Sequence, residues 1–269
     1  AGYDGQNSMR YLKEVIEEHE ITTIHFVPSV LVEFLSEITL GNCESLKRVL
    51  CSGEALQVRH VKAFKDKFPD KRLDNLYGPT EASREVTSWR ASNSGEEINF
   101  TAIGRPISNT RLYIVSGDAA LCPIGIVGEL CISGPGLSRG YLNRPDLTAS
   151  KFVPNPFSGI KGDLMYRTGD LARWMPDGNI EFIGRADHQV KIRGYRIELG
   201  EIENTILKLD SISQAAVLIK RNSTGDNYLA AYLQSYKTPK LRASISEYFV
   251  YDDLAYHALI TDTKRNNRY

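Results

Sequence analysis

The chain has 269 residues, 42% of them hydrophobic and 25% charged, enough for a globular protein with a sizeable core and more than one average domain. Its 33 Lys and Arg balance 33 Asp and Glu, so no overall field favours nucleic acid or an anionic membrane, and neither is expected as a partner. Cys43, Cys51, Cys122 and Cys131 show no CxxC spacing, which argues against zinc and gives no disulfide framework; no apolar run reaches a membrane span and no signal-peptide pattern opens the chain, and a reducing cytoplasm is expected.

From Ser8 to Glu20, Met9, Leu12, Val15 and Ile16 recur at helical spacing, and Ile21 to Val27 reads as a strand. Pro28 opens a helix through Ile38, where its missing N–H costs little. Leu46 to Cys51 is a strand, Val58, Val61 and Phe64 mark a helix, and Leu73 to Tyr77 is a third strand. This alternation predicts an α/β fold over 1–110, with a mainly parallel sheet flanked by helices and ligands beyond the carboxyl ends of its strands. The loop Gly78 to Glu81 falls at such an end. Over 111–186 short strands at Leu112 to Val115, Glu129 to Ser133 and Asn179 to Ile183, separated by turn residues, predict an antiparallel barrel-like subdomain. A hairpin, a helix from Glu198 to about Leu209, and strands at Ala215 to Ile219 and Tyr228 to Leu233 predict a small α+β carboxyl-terminal subdomain over 187–235. Residues 236–269 form a tail.

Three blocks carry chemistry: Asn75-Leu76-Tyr77-Gly78-Pro79-Thr80-Glu81, Tyr166-Arg167-Thr168-Gly169-Asp170-Leu171, and the run from Gly184 to Gly194. Tyr77 could stack on a base, and Asn75 offers an amide edge. Thr80 and Glu81 could hold a phosphate oxygen and Mg2+, which takes few carboxylates together with substrate oxygens. Asp170, in a tight Thr-Gly-Asp turn, could accept both hydroxyls of a ribose. Together they suit ATP. Taken singly, each has a plain alternative: a capped turn for the first block, and an Asx turn for Asp170. Lys191 and Arg193 alternate with Val190 and Ile192, so both lie on one strand face, which on its own reads as a solvated surface.

With Gly128 to Leu142 and Arg196 to Glu203 added, the chain from about Ile21 to Leu233 resembles an adenylation domain of a nonribosomal peptide synthetase, in the superfamily of acyl- and aryl-CoA synthetases and luciferases. The resemblance implies an adenylate-forming ligase. Thr80 and Glu81 would be catalytic, with Glu81 on Mg2+, and Gly53, Glu54, Asn75, Tyr77, Gly78, Asp170 and Arg185 would bind ATP. Asp187 would be the hinge, and Lys191 and Arg193 would meet the phosphopantetheine arm or its carrier domain. The loop Gly134 to Gly140 looks phosphate-cradling but is structural in that family.

The amino-acid pocket would be lined by His25, Leu50, Ser52, Leu76, Arg84 and Glu85. The first four are similar to the lining of serine-activating domains, so a small hydroxylated amino acid is expected. Arg84 and Glu85 depart from that lining. The bland alternatives are a core histidine at His25 and a surface ion pair between Arg84 and Glu85.

Implied partners are a peptidyl carrier domain and a condensation domain in the same polypeptide. The stretch from Tyr248 to His257 is similar to the start of an inserted methyltransferase domain, with an ordinary amphipathic helix as the alternative. The family's phosphate loop and amine-binding aspartate should precede Ala1, and its terminal catalytic lysine should follow the small subdomain. The chain is therefore expected to be a piece of a longer protein and inactive by itself. An acyl- or aryl-CoA ligase shares the nucleotide blocks, and a non-catalytic scaffold is the alternative from another class.

Overall fold

The computed structural model describes residues 8–39, 41–91, 100–187, 189–192, 194–221 and 227–235. Arg193 and the tail 236–269 lie outside them, and with these the proposed carrier contact of Arg193 and the methyltransferase start. The chain divides into two compact units: one runs to Asp187 and includes Gly194 and Tyr195, and the other takes 189–192 and the chain from Arg196. Among the described residues no helix is long and apolar enough to cross a membrane.

The first sheet has strands β1 (Thr23–Phe26), β2 (Arg48–Cys51), β3 (Arg72–Tyr77), β4 (Thr87–Arg90) and β5 (Arg105–Pro106), in that order. β1, β2 and β3 are parallel. Their crossovers contain α2 (Pro28–Glu37) and α3 (Val58–Lys67), and α1 (Met9–Glu18) precedes them. Ser8 caps α1 by accepting the Tyr11 N–H at 3.3 Å, and Pro28 sits in the first turn of α2, as the sequence predicts. Ile16, Leu31, Phe34, Val61 and Phe64 of the helices form one core with Phe26, Val49, Cys51 and Leu73 of the sheet. β4 and β5 are antiparallel, so the parallel part stops at β3. The segment 78–86 between β3 and β4 is too short for a crossover, so the chain must turn back on itself.

The second sheet joins β6 (Arg111–Val115), β7 (Gly128–Ser133), β9 (Leu164–Trp174) and β10 (Ile180–Arg185) in the order β10-β9-β7-β6, all antiparallel. α4 (Pro145–Lys151) leads into β8 (Phe152–Pro154), which pairs with β9. Leu130, Ile132, Phe152, Tyr166 and Ile180 share a core with Tyr77, Ala82 and Val86 of the β3–β4 connection, which seats that loop in the same unit.

The expected Thr168-Gly169-Asp170 turn is not formed. These residues lie inside the 11-residue β9. Glu129 pairs with Leu171 and Cys131 with Arg167, so β9 spends four steps where β7 spends two, and Gly169 adopts φ +75. This is a β-bulge, and it bends the strand and re-aims its side chains.

After Asp187, β11 (Gln189–Ile192) and β12 (Tyr195–Glu198) form a hairpin, α5 (Leu199–Ile206) follows, and β13 (Ile212–Arg221) pairs antiparallel with β14 (Asn227–Ser235). α5 stops short of Leu209. The Lys208 and Leu209 N–H groups bond three residues back, to Thr205 and Ile206, which tightens and ends the helix.

Candidate active site

The loop beyond β3 is built on Gly78. A Cβ there would lie 1.8 Å from the Arg84 carbonyl oxygen. A single 3₁₀ turn, Thr80–Ala82, is followed by Ser83 and Arg84 at φ 64 and 76, and the Val86 N–H closes the loop on the Tyr77 carbonyl at 2.7 Å. Thr80 is exposed and Glu81 buried. The block 134–141 encloses the loop: the Ser138 N–H donates to the Glu81 carbonyl at 2.8 Å, and the Ser83 hydroxyl to the Gly136 carbonyl at 2.7 Å.

The Tyr141 hydroxyl donates to Glu81 Oε1 at 2.8 Å and lies 3.4 Å from the Tyr166 hydroxyl. Burial, together with Tyr166 and Glu81, pushes the Tyr141 phenol well above its ordinary pKa, so it stays a donor. Sequence reasoning gave Tyr141 no role. Its position at the end of a glycine-rich block was the available signal.

A second cluster gathers around the bulge. The Tyr77 hydroxyl donates to Asp170 Oδ2 across 93 positions of sequence. Arg185 Nη1 donates to Asp170 Oδ1 at 2.6 Å, and Arg185 Nε and Nη2 form a bidentate pair with Asp187 at 2.6 Å each. Tyr77 is 9% exposed, with its ring 6.5 Å from that of Phe182. Its pKa is pushed well up, first by burial and then by the Asp170 carboxylate. Burial acts to lower that of Arg185, but the bonds and charges of Asp187 and Asp170 prevail and raise it. The cluster therefore holds a neutral phenol, a fixed cation and two carboxylates. Asp170 accepts one of these bonds at each oxygen, and a carboxylate offers about four lone-pair sites, so it can accept two more.

Register puts four predicted pocket residues together. His25 pairs with Leu50 and Leu50 with Asp74, so His25, Leu50 and Leu76 share the sheet face opposite the helices, with Ser52 one step past β2. His25 Nε2 and Ser52 Oγ are 2.8 Å apart. His25 is exposed, so it is not a core histidine, while Leu50, Ser52 and Leu76 are half-buried. Arg84 is exposed and Glu85 half-buried in the loop, and no ion pair joins them.

Asn75 donates to the Ala102 carbonyl at 2.7 Å, while its Oδ1 is buried with no partner, a vacant acceptor beside Tyr77. Gly53 adopts φ 87, and Glu54 accepts the N–H of Ser29 at 3.0 Å and of Gly194 at 2.8 Å. Lys191 is half-buried on β11 in the second unit.

A polar cluster beyond the carboxyl ends of parallel strands, with donors and acceptors converging on one place, is the arrangement of an α/β ligand-binding enzyme. Residues 3–142 match the AMP-binding family, described as AMP-binding enzyme, and the chain belongs to that family. It is 44% identical over 246 residues to tyrocidine synthase 3 of Brevibacillus parabrevis, a match covering 90% of this chain and 4% of that protein. It is 47% identical over 222 residues to gramicidin S synthase 2 of Aneurinibacillus migulanus, covering 82% of this chain and 5% of that protein. Among solved structures it resembles a holo NRPS protein containing adenylation and PCP domains bound to a vinylsulfonamide inhibitor, with TM-score 0.77 and 28% identity over 86% of this chain and 40% of that one. The chain thus spans a small part of the synthases and less than half of the solved protein.

Proposed function

We propose that the protein carrying this chain joins ATP and an amino acid into an aminoacyl-adenylate. The amino-acid carboxylate attacks the α-phosphorus, the bond to the β-phosphate breaks, and pyrophosphate leaves. A phosphopantetheine thiol of a carrier domain then takes the acyl group and AMP leaves. The observation that carries this reading is the convergence of Tyr77, Asp170 and Arg185 from three distant blocks.

Asp170 would accept the ribose hydroxyls, held in place by Arg185 and Tyr77. The Tyr77 ring would lie against the adenine, whose amino group suits the vacant Asn75 Oδ1. Thr80 would bond a phosphate oxygen. Glu81 would hold Mg2+ together with phosphate oxygens, an arrangement that suits a site where no three His, Cys, Asp or Glu side chains cluster among the described residues. When bound, the ion neutralises charge developing on the phosphates.

The paired His25 and Ser52 could exchange hydrogen bonds with a small side-chain hydroxyl, with Leu50 and Leu76 limiting its size. A serine-like substrate follows, unless Arg84 and Glu85 turn the pocket towards a charged one. Asp187 is the proposed hinge, and Lys191 with Arg193 the proposed contact for the carrier arm. Condensation and methyltransferase domains are proposed neighbours, and the cytoplasm the proposed location. The test is ATP–pyrophosphate exchange by the full-length protein across the twenty amino acids and a set of fatty and aryl acids. Exchange with a small hydroxylated amino acid is expected. Exchange with fatty or aryl acids alone would make it a CoA ligase, and none with any acid would leave a scaffold.

A further inference from the structure

The bulge that presents Asp170 leaves backbone groups without ladder partners, and two side chains from neighbouring positions satisfy them. The Thr168 hydroxyl accepts the Asp170 N–H at 2.9 Å and donates to the Leu130 carbonyl at 2.7 Å. On the partner strand, Glu129 Oε1 accepts the Gly169 N–H at 3.0 Å. Its Oε2 accepts from Arg167 Nε at 2.9 Å and Nη2 at 2.5 Å. A cross-strand ion pair accounts for the Oε2 contacts. It does not account for Oε1, which is aimed at the bulge.

The other side of Gly169 is equally constrained. A Cβ there would lie 2.9 Å from Arg185 Nη2 and 3.1 Å from Asp187 Oδ2, so the guanidinium and its second carboxylate occupy the space that a side chain would need. Gly169 is therefore held by Glu129 at its N–H and walled by Arg185 at its Cα. Asp170, the next residue, has its carboxylate directed to Tyr77 and Arg185. The Glu129 side chain is 17% exposed, so its bond to Gly169 is partly shielded from water.

We propose that Glu129 is a positioning residue for the ribose site: it pins the bulge at Gly169 and thereby sets the direction of the Asp170 carboxylate. This rests on the assignment of Asp170 to the ribose hydroxyls. Without the bond at Gly169 the bulge is free to relax along β9, because a buried N–H seeks another acceptor. Asp170 then loses its aim while the adenine and phosphate contacts stay.

The test compares the affinities of the full-length protein for ATP and for 2′,3′-dideoxy-ATP, which lacks the two hydroxyls. Wild type should prefer ATP by about tenfold or more, the worth of charge-assisted hydrogen bonds. Glu129→Ala should bring the two affinities to within about threefold of each other, with dideoxy-ATP binding unchanged. Glu129→Gln should keep most of the preference, since its amide oxygen can accept the same N–H. The inference is overturned if Glu129→Ala keeps the wild-type ratio, if it weakens both nucleotides alike, as a general loss of structure would, or if Glu129→Gln fails as badly as Glu129→Ala. If the wild type shows no preference, or if Asp170→Ala keeps one, the ribose assignment itself falls and the Glu129 inference falls with it.

Discussion

Replacing Gly78 by alanine tests the loop that carries Thr80 and Glu81. The added Cβ would lie 1.8 Å from the Arg84 carbonyl oxygen, 2.5 Å from its carbon and 2.9 Å from the Val86 nitrogen. All three are backbone atoms, so no side chain can swing away. Even close C–H···O contacts keep carbon and oxygen about 3.3 Å apart, so residues 84–86 must move by about 1.5 Å. That displacement acts on the bond from the Val86 N–H to the Tyr77 carbonyl, 2.7 Å long, and on the bond from the Arg84 N–H to the Pro79 carbonyl, 3.1 Å long. Overpacking costs about 1–3 kcal/mol and each of the two weakened hydrogen bonds about 0.5–1.5 kcal/mol, so the total is about 2–6 kcal/mol. For a unit of this size each kcal/mol lowers Tm by about 2–4 °C, and a fall of about 4–24 °C is expected by calorimetry. Pyrophosphate exchange should fall as well, because the loop that moves bears Glu81. A variant melting within about 2 °C of wild type would refute the reasoning, since no arrangement of this backbone holds the extra carbon without a cost.

Tyr141→Phe keeps the ring packed 5.8 Å from Phe152 but removes the donor to Glu81. Exchange should fall about tenfold and the Mg2+ requirement rise, with less than about 1.5 kcal/mol lost in stability; an unchanged Mg2+ dependence would deny Tyr141 any hold on Glu81. Burial pushes the Cys43 thiol up to about 11 and the Cys51 and Cys131 thiols up to about 12. At pH 8 these three are neutral and enclosed, so a maleimide followed by mass spectrometry should label Cys122 in the native protein and the others only after unfolding; native labelling of Cys51 at the rate of Cys122 would contradict this. Burial acts to raise the Asp163 pKa, but hydrogen bonds from Ser158, Ser133 and Asn155 and the charge of Arg111 prevail and lower it. A depressed carboxyl stabilises the fold fully above its unfolded pKa, about 3.9, and loses that contribution as pH falls through the folded value. Asp163→Asn should therefore lower stability at neutral pH and flatten its decline in acid, and an acid limb as steep as that of wild type would show that Asp163 does not contribute to it.

Hydrophobic period and the punctuation of Pro28 placed the helices and strands of the first sheet, because there local preference and burial agree. His25 and Ser52, both expected in one pocket, lie 2.8 Å apart because the parallel pairing of β1 with β2 brings their strand ends together. The sequence misled at Thr168-Gly169-Asp170, where two turn-forming residues sit inside a strand. Pairing with β7 and β10 on either side overrides their preference, and the bulge absorbs the conflict. It was silent on Glu129 and Tyr141 for a different reason. Each acts by holding a residue 40 and 60 positions away respectively, a relation with no periodic or local trace.

The charge of the cluster decides which end of a nucleotide it suits. Two carboxylates, Asp170 and Asp187, surround one guanidinium, Arg185, and the Tyr77 phenol stays neutral, so the group is net negative. A phosphate placed there would meet carboxylates, and its repulsion would be strong in a site shielded from water. Hydroxyl groups, which donate, meet acceptors instead. The cluster thus suits sugar better than phosphate, and under the proposed assignment the phosphates would run towards Thr80 and Glu81. Glu81 is itself an anion, and its carboxylate is compatible with a neighbouring phosphate only when a cation lies between them. In the proposed function the nucleotide would therefore run from adenine at Asn75 and Tyr77, through ribose at Asp170, to phosphates and Mg2+ at Thr80 and Glu81, and under that proposal removing the ribose hydroxyls should expose Asp170 and Glu129 while leaving the other contacts in place.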